Sequence, residues 1–148
     1  MRKQPDETGF TTIEVIVVII VAASLIASIS QMISYVGNTA QDTHRQEVAR
    51  NLAYNNMRIY ANGRQPLWFT CSAATNGVQN PNGAGQVLIN TTSNSSINNL
   101  PAPVRQKVTA FAPYGCGSDG SGMPVRVISE VSYGNPAKEA VHATYVGY

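Results

Sequence analysis

An uncharged apolar segment near the N-terminus constrains the fold of this chain more than any other feature. From Val15 to Val36 the sequence has no Asp, Glu, Lys or Arg over 22 residues, and most of these residues are Val, Ile, Ala or Leu. As an α-helix this segment would be roughly 33 Å long, enough to cross a bilayer core of about 30 Å. The default interpretation is therefore a single transmembrane anchor joined to the rest of the chain.

The composition of the chain limits what the rest can be. Of the 148 residues, 43% are apolar and only 12% are charged, and the net charge is +2. This charge is too small to argue for nucleic-acid binding by itself, and two cysteines cannot form a four-thiolate metal site. The residues after Val36 are rich in Asn, Ser, Thr and Gly. We therefore expect one small polar-surfaced domain behind one membrane segment, and no multi-span membrane protein.

A secretory signal peptide is the alternative interpretation of the apolar segment. Glu14 directly precedes the apolar run, and no clean small-x-small cleavage site follows the run, because Ala22 and Ser24 lie inside it. Both features fit a signal peptide badly. Charge counting does not orient an anchor, because two basic residues precede the segment (Arg2, Lys3) and two follow it closely (Arg45, Arg50). The anchor is the better interpretation, and its orientation stays open on charge alone.

Glu14 needs an explanation, because a carboxylate in a membrane span costs about 2.5 kcal/mol or more near the middle and less near the end. One explanation is that Glu14 caps the start of the helix, where the helix dipole favours an anion. The other requires cleavage between Gly9 and Phe10, which leaves an amino group on Phe10 that is mostly cationic at neutral pH. In a stack of offset identical chains, this group could pair with a neighbour's Glu14 and set the register, because misplaced chains would leave a buried charge unpaired. The residues alone do not choose between the two.

The string Gly9-Phe10-Thr11-Thr12-Ile13-Glu14, followed by the apolar run, resembles the prepilin N-terminus of type IV pilins and pseudopilins. The resemblance implies that a prepilin peptidase cleaves after Gly9 and that Phe10 becomes a methylated N-terminus. It also implies that Glu14 acts in subunit assembly. The expected partners are other copies of the chain, the prepilin peptidase, a pilus assembly platform and the membrane before assembly.

The resemblance also implies where the chain resides, first as a single-pass precursor in the cytoplasmic membrane and then in an extracellular pilus on the cell surface. Many major pilins have a helix-breaking Gly and Pro in the first helix. The matching positions here are Ala23 and Gln31, which should keep the helix more regular. This departure is compatible with a minor pilin or a pseudopilin.

The helical pattern continues beyond the apolar segment but becomes amphipathic. Apolar residues recur at helical spacing at Val48, Ala49, Leu52, Ala53, Ile59 and Tyr60. The pattern predicts one helix from about Phe10 to Ala61, with a kink at Gly37-Asn38 and a C-terminal stop at Asn62-Gly63. No single domain of this size can bury such a helix, so lipid or other copies must cover the first half and the C-terminal domain the second.

After Gly63 the apolar residues alternate with a period of two, which is typical of strands. The clearest pair, Val125–Tyr133 and Val141–Val146, is separated by Gly134-Asn135-Pro136 and predicts a hairpin. Two further strands are expected at Lys107–Ala112 and Gln86–Thr91. Surface loops are expected at Ser72–Gly85 and Asn90–Pro103.

Together these patterns predict an α+β fold in which a long N-terminal helix, membrane-spanning in its first half, packs on a small antiparallel β-sheet. The pilin resemblance implies the same arrangement. The predicted organisation is a leader peptide at 1–9, a transmembrane and filament-core helix at 10–36, an amphipathic helix half at 37–62 and a C-terminal sheet domain at 63–148.

Cys71 and Cys116 would both lie on the extracytoplasmic side of such a subunit, where disulfides persist. A bond between them would close a loop of about 45 residues and contribute roughly 4 kcal/mol in the chain-entropy model. The alternative is two independent buried cysteines, because sequence does not show that they approach each other.

The sequence contains no pattern that predicts catalysis or a cofactor. A pair of Cys71 or Cys116 with His142 would lack an orienting third group and an oxyanion site. The loop at residues 115–122 offers one carboxylate, Asp119, whereas calcium takes six to eight oxygen ligands. A turn is therefore the better interpretation of this loop. We therefore expect no enzyme, no metal and no cofactor.

Three functions fit these observations, and a fourth lacks support. The first is a structural subunit of a type IV pilus or related filament, serving adhesion to a host surface, twitching motility or DNA uptake. The second is a minor pilin that contacts DNA through Arg105, Lys107 and Arg126, although such charges more often form only a solvated face. The third is a pseudopilin of a type II secretion system. A membrane-anchored enzyme would need the catalytic group that is not found.

Overall fold

The computed structural model describes residues 11–61, 67–80, 83, 85–116 and 123–147. Its elements in chain order are helix α1 (Thr12–Ala61) and strands β1 (Gln86–Ser93), β2 (Val104–Phe111), β3 (Val125–Tyr133) and β4 (Lys138–Val146). The fold is α+β, with one long N-terminal helix packed on a four-stranded antiparallel sheet, as the sequence predicts. The chain divides into two compact units between Asp42 and Thr43.

Helix α1 covers nearly the whole predicted range. It runs without interruption through Gly37 and Asn38, where the sequence predicts a kink. Its N-terminus is capped by Thr11, whose Oγ1 accepts a hydrogen bond from the backbone N–H of Glu14 at 3.4 Å. The helix ends at Ala61, and the predicted stop signal Asn62-Gly63 lies outside the described residues.

The sheet has the strand order β1-β2-β3-β4, and each strand is antiparallel to the next. The β3–β4 hairpin pairs from Val125 with Val146 to Tyr133 with Lys138, which confirms the strongest strand prediction. The predicted third and fourth strands are also present, each extended by two or three residues at one end.

The predicted surface loop at Asn90–Pro103 is partly wrong. Residues 90–93 belong to β1, because their backbone pairs with β2 although their side chains are Asn, Thr and Ser. The remainder contains a tight turn in which Asn98 and Asn99 have φ angles of 50° and 64°. Asparagine tolerates this left-handed conformation better than most residues. The turn positions Leu100, which is fully buried.

The core lies between the second part of α1 and one face of the sheet, here called the inner face. On β3 the inward residues are Val125, Val127, Ser129, Val131 and Tyr133, which are all buried. The helix presents Ala49 and Ala53 to this face, both at 0% exposure, followed by Asn56 and Met57. Small side chains at positions 49 and 53 let the helix approach the sheet closely.

Two details of the predicted helix face need correction. The helical spacing predicts that Ile59 belongs to the apolar residues that the domain covers, but 65% of its surface is exposed. Asn56, a polar residue, occupies the buried face instead, and its Nδ2 donates a hydrogen bond to Gln106 Oε1 at 2.7 Å. A buried amide is tolerated where a partner satisfies it, so the contacting face of α1 keeps the other predicted residues and includes Asn56 in place of Ile59.

The segment at residues 72–80 is more than a surface loop. Thr75 and Asn76 are buried, and the carbonyl of Thr75 accepts a hydrogen bond from the backbone N–H of Ala112 at 2.7 Å. The backbone N–H of Gly77 donates to the carbonyl of Ala112, also at 2.7 Å. These bonds fix the segment to the residue that follows β2.

Candidate functional site

The first candidate site is the part of α1 before Asp42. Every side chain between Thr11 and Gln41 is exposed, and the large apolar ones range from 46% exposed at Val15 to 74% at Ile13. Their burial could contribute roughly 1.5–3 kcal/mol per large side chain, yet the described chain buries none of them. By length and composition α1 is a candidate membrane span.

The serine hydroxyls within this apolar segment are hydrogen-bonded inside the helix. Four serine hydroxyls each donate a hydrogen bond of 2.8–3.0 Å to a backbone carbonyl one turn earlier: Ser24, Ser28, Ser30 and Ser34. An unsatisfied hydroxyl is costly in hydrocarbon. The segment can therefore enter an apolar environment without leaving these groups unpaired.

Glu14 lies in the first turn of α1 and is the only charged residue from Thr11 to Gln41. In this position its carboxylate is favoured by the helix dipole, which is the capping explanation left open above. Gly9 and Phe10, the predicted cleavage and methylation residues, lie outside the described residues. Their relation to Glu14 stays a prediction.

Cys71 and Cys116 form a disulfide with their Cα atoms 6.2 Å apart, as the sequence predicts. Both cysteines pack against a core cluster that includes Phe69, Met57 and Val127. The bond ties the beginning of the C-terminal domain to the residues after β2. It is a structural connection across the domain and involves no group suited to catalysis.

The three predicted DNA-contacting residues lie on the outer face of the sheet, opposite to the face that packs on α1. Arg105 and Lys107 are two residues apart on β2, and Arg126 is on β3. Lys107 is directly opposite Glu130 on the neighbouring strand, so a negative charge lies beside it. The structure therefore brings the three cations to one face, and of the three only Lys107 has a carboxylate directly opposite on a neighbouring strand.

Arg126 occupies a row of aromatic side chains that the sequence analysis missed. Its guanidinium carbon is 5.7 Å from the centroid of the Phe111 ring, within range of a cation–π interaction. On the other side, Arg126 is the register partner of Tyr145, which stacks on Tyr114. The sequence does contain one indication of this row. In β4, the alternating residues Val141, Ala143 and Tyr145 form the exposed side of the strand, which places Tyr145 on the outer face.

The described residues hold no group of three or more His, Cys, Asp or Glu side chains that could bind a metal ion. Asp119 lies outside these residues. His142 packs edge-on against Tyr54, with ring centroids 5.9 Å apart.

The chain was compared with models of protein families, with curated proteins and with solved structures, and none of the three comparisons gives a match.

Proposed function

We propose that this chain is a structural subunit of a type IV pilus or a related filament. In this proposal it is cleaved after Gly9, methylated at Phe10 and polymerised through α1. The observation that carries the proposal is the contrast within one helix. The part of α1 after Thr43 packs on the sheet, whereas the apolar part from Val15 to Val36 is exposed throughout.

An apolar helix segment that its own domain leaves uncovered needs another environment. The membrane supplies one, because the segment is long enough to span it and its serine hydroxyls are satisfied internally. Other copies of the same segment supply the second, since helices pack against each other as well as against lipid. A chain that uses both in turn is first a membrane-anchored precursor and then a filament subunit on the cell surface.

Glu14 gives this assembly its register. A single carboxylate in an otherwise uncharged segment is unfavourable in a helix bundle unless a cation meets it. Cleavage after Gly9 creates one, the amino group of Phe10, in every neighbouring copy. Only one offset between adjacent helices pairs the two groups, so the ion pair selects that offset.

The proposed role is structural and requires no catalytic residue or cofactor in the chain. Its partners are other copies of the chain, a prepilin peptidase, an assembly platform and the membrane. Adhesion, twitching motility and DNA uptake are functions that such a filament would perform as an assembly.

Substitution of Glu14 tests the proposal. We expect Glu14→Gln to remain in the membrane and to be lost from filaments sheared off the cell surface, because the neutral amide cannot pair with the amino group of Phe10. The matched control is Glu47→Gln, which removes an exposed glutamate of the same helix beyond the apolar segment. It should reach the sheared fraction as the wild type does. Glu14→Gln in sheared filaments at wild-type amounts would contradict the proposal.

A pseudopilin is the second candidate, and Ala23 and Gln31 in place of a helix-breaking Gly and Pro are compatible with it and with a minor pilin. A pseudopilin forms a short periplasmic filament, so the wild-type chain would be cleaved after Gly9 but absent from sheared surface material. Immunoblots of sheared and membrane fractions of wild-type cells distinguish the two.

A further inference from the structure

A row of four side chains crosses one end of the outer sheet face. Phe111 on β2, Arg126 on β3 and Tyr145 on β4 are successive register partners. Tyr114 follows β2 and stacks on Tyr145, with ring centroids 6.4 Å apart and an angle of 27° between the ring planes. The two tyrosines are 60% and 54% exposed. These four residues are called the aromatic row below.

The aromatic row differs in charge from the rest of the outer face. Lys107 has Glu130 directly opposite on β3. Arg105 is in register with Ser132, which is in register with Glu139 on β4. Among the described sheet residues, Arg126 alone of these cations has no carboxylate in its register row. Its guanidinium lies between two aromatic side chains, Phe111 on one side and Tyr145 on the other.

The position of Arg126 beside an aromatic ring leaves it suited to bind an anion. Its guanidinium carbon is 5.7 Å from the centroid of the Phe111 ring, and a phenyl ring offers no oxygen acceptor to the five N–H donors of the guanidinium. These donors match the two oxygens of a carboxylate, which is the geometry of the strongest Arg hydrogen bonds. A ligand that fits this row therefore combines one carboxylate with an apolar face that can stack on a tyrosine.

We propose that the aromatic row binds a carboxylate-bearing sugar of an acidic polysaccharide. The C–H groups on one face of a pyranose ring form an apolar surface of about the size of a tyrosine ring, which can stack on Tyr145 or Tyr114. The carboxylate of a uronic acid then reaches Arg126. The row lies on the sheet face opposite the part of α1 that packs on the sheet, and its two tyrosines are exposed.

Single-stranded nucleic acid also combines stacking with negative charge, but the outer face fits it less well. Binding of such a strand relies on a positively charged groove that follows the phosphate backbone. Here two of the three cations of the face have a glutamate in their register rows, so no continuous positive track leads away from Arg126. A single sugar unit needs only the one cation that is present.

The test measures binding of a fluorescently labelled oligogalacturonate to the full-length chain in detergent micelles by anisotropy. It does not depend on filament formation, so its outcome is independent of the proposed assembly. The methyl ester of the same oligosaccharide keeps the rings and removes the charge. We expect at least about tenfold weaker binding of the ester, and a similar loss for Arg126→Gln with the acid, because each removes a charge-assisted hydrogen bond.

Four variants separate the parts of the site. Tyr145→Ala should weaken binding of the acid, whereas Tyr145→Phe, which keeps the ring, should bind nearly as the wild type does. Arg126→Lys keeps the positive charge but lacks the two parallel N–H donors of the guanidinium, so it should bind more weakly than the wild type. Arg105→Gln, on the same face but outside the aromatic row, is the control and should bind unchanged. Far-ultraviolet circular dichroism and the presence of the Cys71–Cys116 disulfide check that each variant is folded.

Five outcomes would overturn the proposal. They are no binding of the acid by the wild type, equal binding of acid and ester, unchanged binding by a folded Arg126→Gln, an equal loss in Arg105→Gln, and preferential binding of an oligothymidylate. The last outcome would assign the face to single-stranded nucleic acid instead.

Discussion

At the scale of single residues, the polar groups beneath α1 show which buried hydrogen bonds stabilise the domain. Asn56 and Gln106 pair with each other across the helix–sheet contact. Ser129 is fully buried on β3, and its hydroxyl has no hydrogen-bond partner among the described residues. A buried polar group with a partner is near neutral or favourable, whereas one without a partner costs free energy. Removing the Ser129 hydroxyl should therefore not lower the free energy of unfolding, whereas removing the partner of Asn56 should lower it.

We expect Ser129→Ala to leave the free energy of unfolding unchanged or to raise it by about 1 kcal/mol, because it removes an unpaired hydroxyl. Gln106→Leu is the contrasting variant and should lower it by about 1–3 kcal/mol, since Asn56 loses its partner. Urea unfolding of the full-length chain in detergent, followed by the fluorescence of Trp68, measures both. A clear loss of stability in Ser129→Ala would mean that its hydroxyl has a partner.

The disulfide is the second residue-scale feature with a measurable consequence. Cys71 and Cys116 are 45 positions apart, so the bond restricts a long loop of the unfolded chain. We expect Cys71→Ser/Cys116→Ser to lower the free energy of unfolding by about 4 kcal/mol. Reductant should lower the stability of the wild type and leave the double variant unchanged. Equal stability of the wild type with and without reductant would contradict this role.

Some residue positions could not be predicted from the sequence, for physical reasons. Asn56 is buried because Gln106 lies opposite, and nothing in the local spacing of α1 reveals a partner 50 positions away. Thr75 and Asn76 are in a stretch of turn-forming residues, yet backbone hydrogen bonds of Thr75 and Gly77 with Ala112 anchor this stretch. The aromatic row depends on the pairing of three strands, and only the folded sheet defines that pairing.

At the scale of elements, α1 combines two kinds of helix in one. Before Asp42 its surface is apolar and exposed, and beyond Thr43 it packs through a narrow stripe that includes Ala49 and Ala53. The alanines have 0% exposure, so the distance between helix and sheet leaves no room for larger side chains there. Packing of this kind is sensitive to added volume.

We expect Ala53→Leu to lower the free energy of unfolding of the C-terminal domain by about 1–3 kcal/mol, because the larger side chain overpacks the contact. Ala40→Leu is the matched control, since Ala40 is an exposed alanine of the same helix. It should leave the unfolding of the domain unchanged. Equal unfolding curves for Ala53→Leu and the wild type would show that the contact is looser than the structure indicates.

The elements themselves were largely predictable. The hairpin of β3 and β4 follows from strict alternation and a Gly-Asn-Pro turn, and the structure confirms it. The end of β1 was not predictable, because Asn90 to Ser93 have polar side chains typical of a loop and enter the strand only through backbone pairing with β2. Apolar periodicity identifies the strands that contribute to the core and misses a polar edge.

At the scale of the whole molecule, the two compact units have surfaces of different character. The described part of the first is an apolar helix segment that the chain does not cover, and the second has its own core and a disulfide. We propose that proteolysis after Gly9 allows the first unit to move from lipid into contact with other copies of the chain. Cleavage also creates the amino group that we propose to pair with Glu14.

The intact mass of the protein in sheared surface filaments tests this claim most directly. We expect a chain that begins at Phe10. Compared with the unmodified chain from Phe10, its mass is higher by one methylene unit from N-methylation and lower by two hydrogen atoms from the Cys71–Cys116 disulfide. This one spectrum reports cleavage, methylation, export and oxidation together. An uncut chain that begins at Met1 and stays in the membrane would contradict the account and leave a membrane-anchored domain that does not polymerise.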